Sequence, residues 1–149
     1  MAISAAAVWR PIVTEIVRER ISAGEPAWLP VRGRSMRPLL SRGTRILVVC
    51  AARIRPGDLL AYECEGAIVC HRVLGRRGHA LLTRADQGGA EPELVMPAQI
   101  VGVVVALERV GAVVDLTTRA RRALAVVAAA RSIAAAGWAA ARRRWWQRA

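Results

Sequence analysis

Two hydrophobic periods alternate along the chain, and the changes between them mark its parts. Val8, Ile12, Ile16 and Ile21, with Val13 and Val17, recur at helical spacing, while Arg10, Glu15, Arg18, Glu19 and Arg20 fill other positions. One amphipathic helix is predicted, stopped by Gly24. Ala27–Val31 then reads as a short extended segment. Short β-branched runs follow at Arg45–Cys50, Leu59–Cys64, Ala67–Leu74, His79–Arg84 and Val101–Val110, with Ala112–Leu116 as hairpin partner of the last across Gly111. Turn signatures such as Arg55-Pro56-Gly57-Asp58 and Glu65-Gly66 separate them. Short strands at this spacing predict a mainly β fold, a small β-barrel or sandwich. The expected parts are an N-terminal helix over 1–26, a β domain over 27–116 and a helical tail over 117–149.

The tail changes the picture, because its composition shifts abruptly to alanine, arginine and tryptophan. Residues 123–141 are about long enough to cross a bilayer, yet they are alanine-rich, interrupted by Arg131 and flanked by arginine. An interfacial helix fits better than a span, with Arg142-Arg143-Arg144-Trp145-Trp146 supplying cations and indoles for headgroups. A helix packed on its own domain is the other reading. All 23 basic residues of the 149 are arginine, and the formal net charge is +12. That balance suits an anionic surface, phospholipid or nucleic acid, but no motif for specific nucleic-acid recognition is present. The opening residues show no basic stretch ahead of a long apolar run, so neither a signal peptide nor an N-terminal anchor is expected. The expected location is membrane-associated, peripheral or held by the C-terminal helix, with the cytoplasm as the alternative.

Cys50, Cys64 and Cys70 sit in or beside apolar runs and read as buried small hydrophobes. Zinc held by Cys64, Cys70, His71 and His79 lacks any CxxC or HxxxH pair, so no metal and no cofactor is expected.

Ser35 stands between Gly33 and Pro38, a flexible position before it and a rigid one after, which is the exposure a nucleophile needs. Alone, a Gly-x-Ser is common. GRSMRPLL, however, resembles the Gly-x-Ser-Met-x-Pro-x-Leu box around the nucleophile of type I signal peptidases and their relatives. IRPGDLLAYE resembles that family's Pro-Gly-Asp strand, AIVCHRVLG its base-bearing segment and TRADQ its Gly-Asp-Asn box. The four boxes occur in the family's order, from about Trp28 to Leu107.

The family pairs its serine with lysine or, in its endoplasmic-reticulum-type and archaeal branches, with histidine. This sequence contains no lysine. The resemblance therefore implies a Ser35 nucleophile and a His71 base, since neutral imidazole accepts a proton near pH 7 and the neighbouring Arg72 cannot be deprotonated. If His71 points to the cleft, Cys70 and Arg72 should point away. Asp86 takes the place of the acid that orients the imidazole, although Ala85 and Gln87 replace the family's glycine and asparagine. Met36 and Pro38 are implied beside the substrate. His79, after Arg76-Arg77-Gly78, reads as a solvated turn histidine.

The activity implied is hydrolysis of signal or leader peptides through an acyl-enzyme, the peptide lying along a strand edge from Ala27–Val31 or Leu59–Cys64. The expected partners are a secreted or leader-bearing peptide and, through the tail, an anionic membrane surface. Two alternatives remain open: a self-cleaving repressor-like domain, and a non-catalytic module that binds membrane or nucleic acid through its arginines.

Overall fold

A computed structural model describes residues 5–87 and 91–146, with side-chain surroundings for 11–87 and 91–137. Helix α1 (Ala5–Ser22) leads into strands β1 (Ala27–Pro30), β2 (Arg45–Val49), β3 (Leu59–Cys64), β4 (Ala67–Arg77), β5 (Ala80–Arg84) and β6 (Glu93–Val95). A 3-10 turn over Pro97–Gln99 precedes β7 (Ile100–Arg109) and β8 (Ala112–Asp115), and helix α2 (Arg119–Trp146) ends the described chain. The fold is mainly β, as the turn spacing predicts. It is one antiparallel sheet of eight strands in the order β1-β2-β7-β3-β4-β5-β6, with β8 also on β7.

Alternation along β3 divides the apolar interior between the two faces of the sheet. Leu59 and Ala61 join Met36, Leu40, Ile46, Val48, Val104 and Leu107 on one face, and Val17 and Ile21 of α1 close over that cluster. Leu60 and Tyr62 join Val73, Leu81, Val95 and Val103 on the other. Only one stripe of α1 is therefore covered, and Ile12, Val13 and Ile16 remain about half exposed. Gly102 permits the close crossing of β7 and β2, because a Cβ there would lie 2.4 Å from the Val49 carbonyl oxygen.

Pairing decides which strand edges stay open. β3 is flanked by β4 on one side and β7 on the other, so Leu59–Cys64 offers no edge to a peptide, contrary to one of the two expectations for it. β1 pairs with β2 alone. β4 pairs with β3 over Ala67–Arg72, but β5 reaches only its second half, Arg72–Arg77. The outer edge of Ala67–His71 thus carries no strand among the described residues.

The first half of α2 lies on the β domain. Arg122 bonds Asp58 at 3.1 Å, Arg84 reaches the Ser132 carbonyl, and Ala129 is buried. Gly57, at φ +93°, comes so close that a Cβ would meet the Ala125 backbone at 2.9 Å. No helix among the described residues is long and apolar enough to cross a membrane. The Arg142–Trp146 cluster lies outside the residues whose side chains are described.

Candidate active site

Ser35 sits in the turn between β1 and β2, half-buried, with Met36 buried behind it in the core. The chain after β5 braces this turn. The Gln87 amide donates to the Ser35 carbonyl at 2.8 Å, and the Asp86 amide donates to the Met36 sulfur at 3.3 Å. Asp86 itself is clamped by Arg72, whose Nε and Nη2 lie 2.7 and 2.5 Å from its two carboxylate oxygens, while Nη1 binds the Gly57 carbonyl at 2.9 Å. Arg72 is 5% and Asp86 17% exposed at the side chain, so this is a largely desolvated, forked ion pair. It ties β4 to the chain that supports Ser35.

Ser35 and Met36 line one wall of an apolar groove of about 640 Å3, together with Leu29–Gly33, Val13 and Val17, and Ala67–Cys70 of β4. The two open strand edges are its banks. Val73 exchanges backbone bonds with Gly57 and Asp58 on the β3 side. By the alternation of an antiparallel ladder, Ile68 and Cys70 then turn their N–H and C=O groups toward the open edge.

His71 is buried, and its ring turns the other way from the expected one. Cys70 packs with the cluster that contains Met36 and lines the groove, whereas the His71 imidazole lies against Tyr62 of β3. The Tyr62 hydroxyl is 2.8 Å from His71 Nδ1 and 2.8 Å from a Glu93 carboxylate oxygen. A carboxylate only accepts, so the one phenolic proton goes to Glu93 and His71 Nδ1–H donates to the Tyr62 oxygen. Nε2 is left as the basic nitrogen. Burial lowers the His71 pKa below its ordinary value, against the opposing pull of the Glu93 and Asp86 charges. The imidazole is therefore neutral and able to accept a proton at pH 7. Burial, and then the bond to Glu93, raise Tyr62 well above the usual phenol range, so it stays protonated.

Of the expected residues, the structure brings Ser35, Met36 and Asp86 into one braced unit, and Arg72 joins them. It does not place His71 in hydrogen-bond contact with Ser35 or Asp86, and both Asp86 oxygens are taken by Arg72. Pro38 is exposed and faces a second cavity rather than the groove. His79 is an exposed turn residue. Cys70, pushed up to about 12 by burial, is a thiol rather than a thiolate at neutral pH and is no nucleophile there. Tyr62 and Glu93 were not apparent from sequence. The available signal was the alternation of β3, which sets the chain's single tyrosine on the face that His71 shares.

The chain matches the Peptidase S24-like family over residues 10–105, a span that holds most of α1, the serine turn and most of the sheet. It belongs to that family, and its kind is that of a peptidase or self-cleaving hydrolase domain. No individual curated protein matches it in sequence.

Proposed function

We propose that this protein is a serine endopeptidase that hydrolyses extended signal or leader peptides, with Ser35 as nucleophile and His71 as general base. The observation that carries this reading is the groove: two unpaired strand edges face one another across an apolar floor, and the serine turn lies in its wall. A peptide entering there gains main-chain hydrogen bonds from Ile68 and Cys70 and presents its carbonyls in sequence.

In the proposed reaction the Ser35 Oγ adds to the scissile carbonyl as its proton passes to His71 Nε2. The amine leaves with that proton, and water, activated by the same nitrogen, splits the acyl-enzyme. Because the His71 ring and the groove lie on opposite faces of β4, this step requires the strand itself to shift as the peptide binds, releasing His71 from Tyr62 toward Ser35. The Tyr62–Glu93 pair holds the required tautomer, while Asp86 contributes its charge and the bracing of the serine turn. The amide of Ser35, with a second donor near Gly33 or Arg34, faces the developing oxyanion.

The histidine-type branch of the signal peptidases accounts best for the base, because Cys70-His71-Arg72 stands where that branch has its histidine and arginine. The proposed setting is an anionic membrane surface, supported by exposed Leu124, Val127 and Ile133 beside exposed arginines on α2.

The test is mass spectrometry of peptides ending in Ala-x-Ala or Gly-Gly, incubated with wild-type, Ser35→Ala and His71→Ala protein between pH 6 and 9. Cleavage by the wild type, lost in both variants, is expected. Undiminished turnover by Ser35→Ala overturns the proposal.

A further inference from the structure

A second cavity, of about 700 Å3, opens where α2 crosses the start of β3. The serine turn separates it from the groove, with Ser35 and Met36 on the groove side and Pro38 and Leu39 on this one. Its walls are of two kinds. Leu39, Leu59, Val104 and Leu116 make an apolar floor, and Leu124 and Val126 of α2 reach over it while staying 69% and 52% exposed.

Charge at the cavity is one-sided. Five arginines line it against two aspartates. Both aspartates are already engaged, Asp58 by Arg122 and Asp86 by Arg72. Arg53, Arg55 and Arg121 are exposed, and their guanidinium groups make no hydrogen bond or ion pair among the described residues, Arg121 acting on Asp115 only at a distance. An apolar floor beneath unpaired guanidinium groups matches a molecule with an acyl chain and an anionic head.

We propose that this cavity binds an anionic amphiphile, a single acyl chain carrying a carboxylate or phosphate head. The chain lies on Leu39, Leu59 and Leu116 under α2, and the head meets Arg53, Arg55 and Arg121. Because Asp86 lines the same cavity and its amide supports Met36, the occupant rests against the brace of the serine turn. This inference stands apart from the peptidase reading, since it requires no turnover.

Isothermal titration calorimetry of the full chain with decyl phosphate, below its micelle concentration, tests the proposal. One saturable site is expected. Butyl phosphate and inorganic phosphate should bind much more weakly, and decyl glucoside, with the same chain and no charge, should do likewise. Arg53→Ala/Arg55→Ala/Arg121→Ala, which changes exposed side chains only, should weaken decyl phosphate about tenfold or more with an unchanged melting temperature. Ala128→Trp, which fills the cavity from α2, should abolish the site. Equal binding of decyl glucoside, equal binding of inorganic phosphate, or undiminished binding by the triple variant overturns the proposal. Binding to anionic vesicles with none to monomeric decyl phosphate also overturns it, because the ligand is then a membrane surface.

Discussion

Tyr62 and His71 lie diagonally across the β3–β4 ladder, with ring planes at 64°, centroids 5.8 Å apart and a 2.8 Å bond between hydroxyl and Nδ1. This contact sets the tautomer of the proposed base, and through Glu93 it connects the base to a charge two strands along the sheet. The relationship makes the pH behaviour of the enzyme predictable.

On the proposed mechanism kcat/KM rises with pH along a limb set by His71. Its midpoint should fall below 6.5, because the folded pKa lies below that ordinary value. The same shift makes stability pH-dependent: the unfolded chain takes up the His71 proton more readily, so stability is full above about pH 6.5 and is lost as pH falls from there toward the folded pKa. A limb centred above pH 7 in initial-rate measurements would remove His71 as the base.

Glu93→Gln separates orientation from folding. Loss of the carboxylate takes away a charge that raises the His71 pKa, so the acid limb should move to lower pH. It also frees the Tyr62 proton to bond Nδ1, which would place the imidazole proton on Nε2. A fall of about tenfold in kcat is expected, less than the roughly hundredfold or more that a general base itself contributes. Tyr62→Phe should lower kcat similarly while moving the limb less.

Asp86→Asn tests the ion pair beneath the serine turn. It leaves the Arg72 guanidinium buried without its counter-charge, and about 3 kcal/mol of stability should be lost in urea denaturation. A loss below about 0.5 kcal/mol would mean that solvent reaches the pair. Asp86→Glu, which keeps the charge, should recover part of the loss.

Thiol chemistry should follow burial. Cys50 is exposed and should react with iodoacetamide first, whereas Cys70, partly exposed in the groove but pushed up to about 12, should react far more slowly at pH 8. Peptide cleavage should survive complete alkylation of Cys50. Rapid loss of activity through modification of Cys70, mapped by mass spectrometry, would contradict the neutral thiol.

Gly57→Ala should loosen α2 from the domain. A methyl group there meets the Ala125 backbone at 2.9 Å, and the residue is held at φ +93°. A cost of about 2 kcal/mol is expected, with faster amide exchange in Arg122–Ser132.

Local chemistry makes much of this fold legible from the sequence alone. β-branched runs between Gly and Pro turns locate β2, β3, β4, β7 and β8, because those strands are apolar or alternating runs bounded by turn residues. β6 is only three residues long, too short for a period of two to show, and Glu93 is hidden with it. Ser35 and His71 are singled out by their boxes. Their relative orientation is not, since a period of two says that Cys70 and His71 face opposite ways without saying which meets the groove. The partner of Asp86 was likewise invisible, because Arg72 reads as the residue beside the base and the pairing across 14 positions arises only when β5 returns along β4.

The strand order has a geometric consequence. β1 and β4 are four places apart in the sheet, yet both line one groove. A flat sheet would hold them about 19 Å apart, so β1, β2, β7, β3 and β4 must curl round toward a ring that lacks one stave. A peptide bound between the two edges would supply that stave and complete the ring in its own backbone. Recognition would then depend first on whether a substrate can lie fully extended, and a segment held in a helix or interrupted by proline would be refused whatever its side chains.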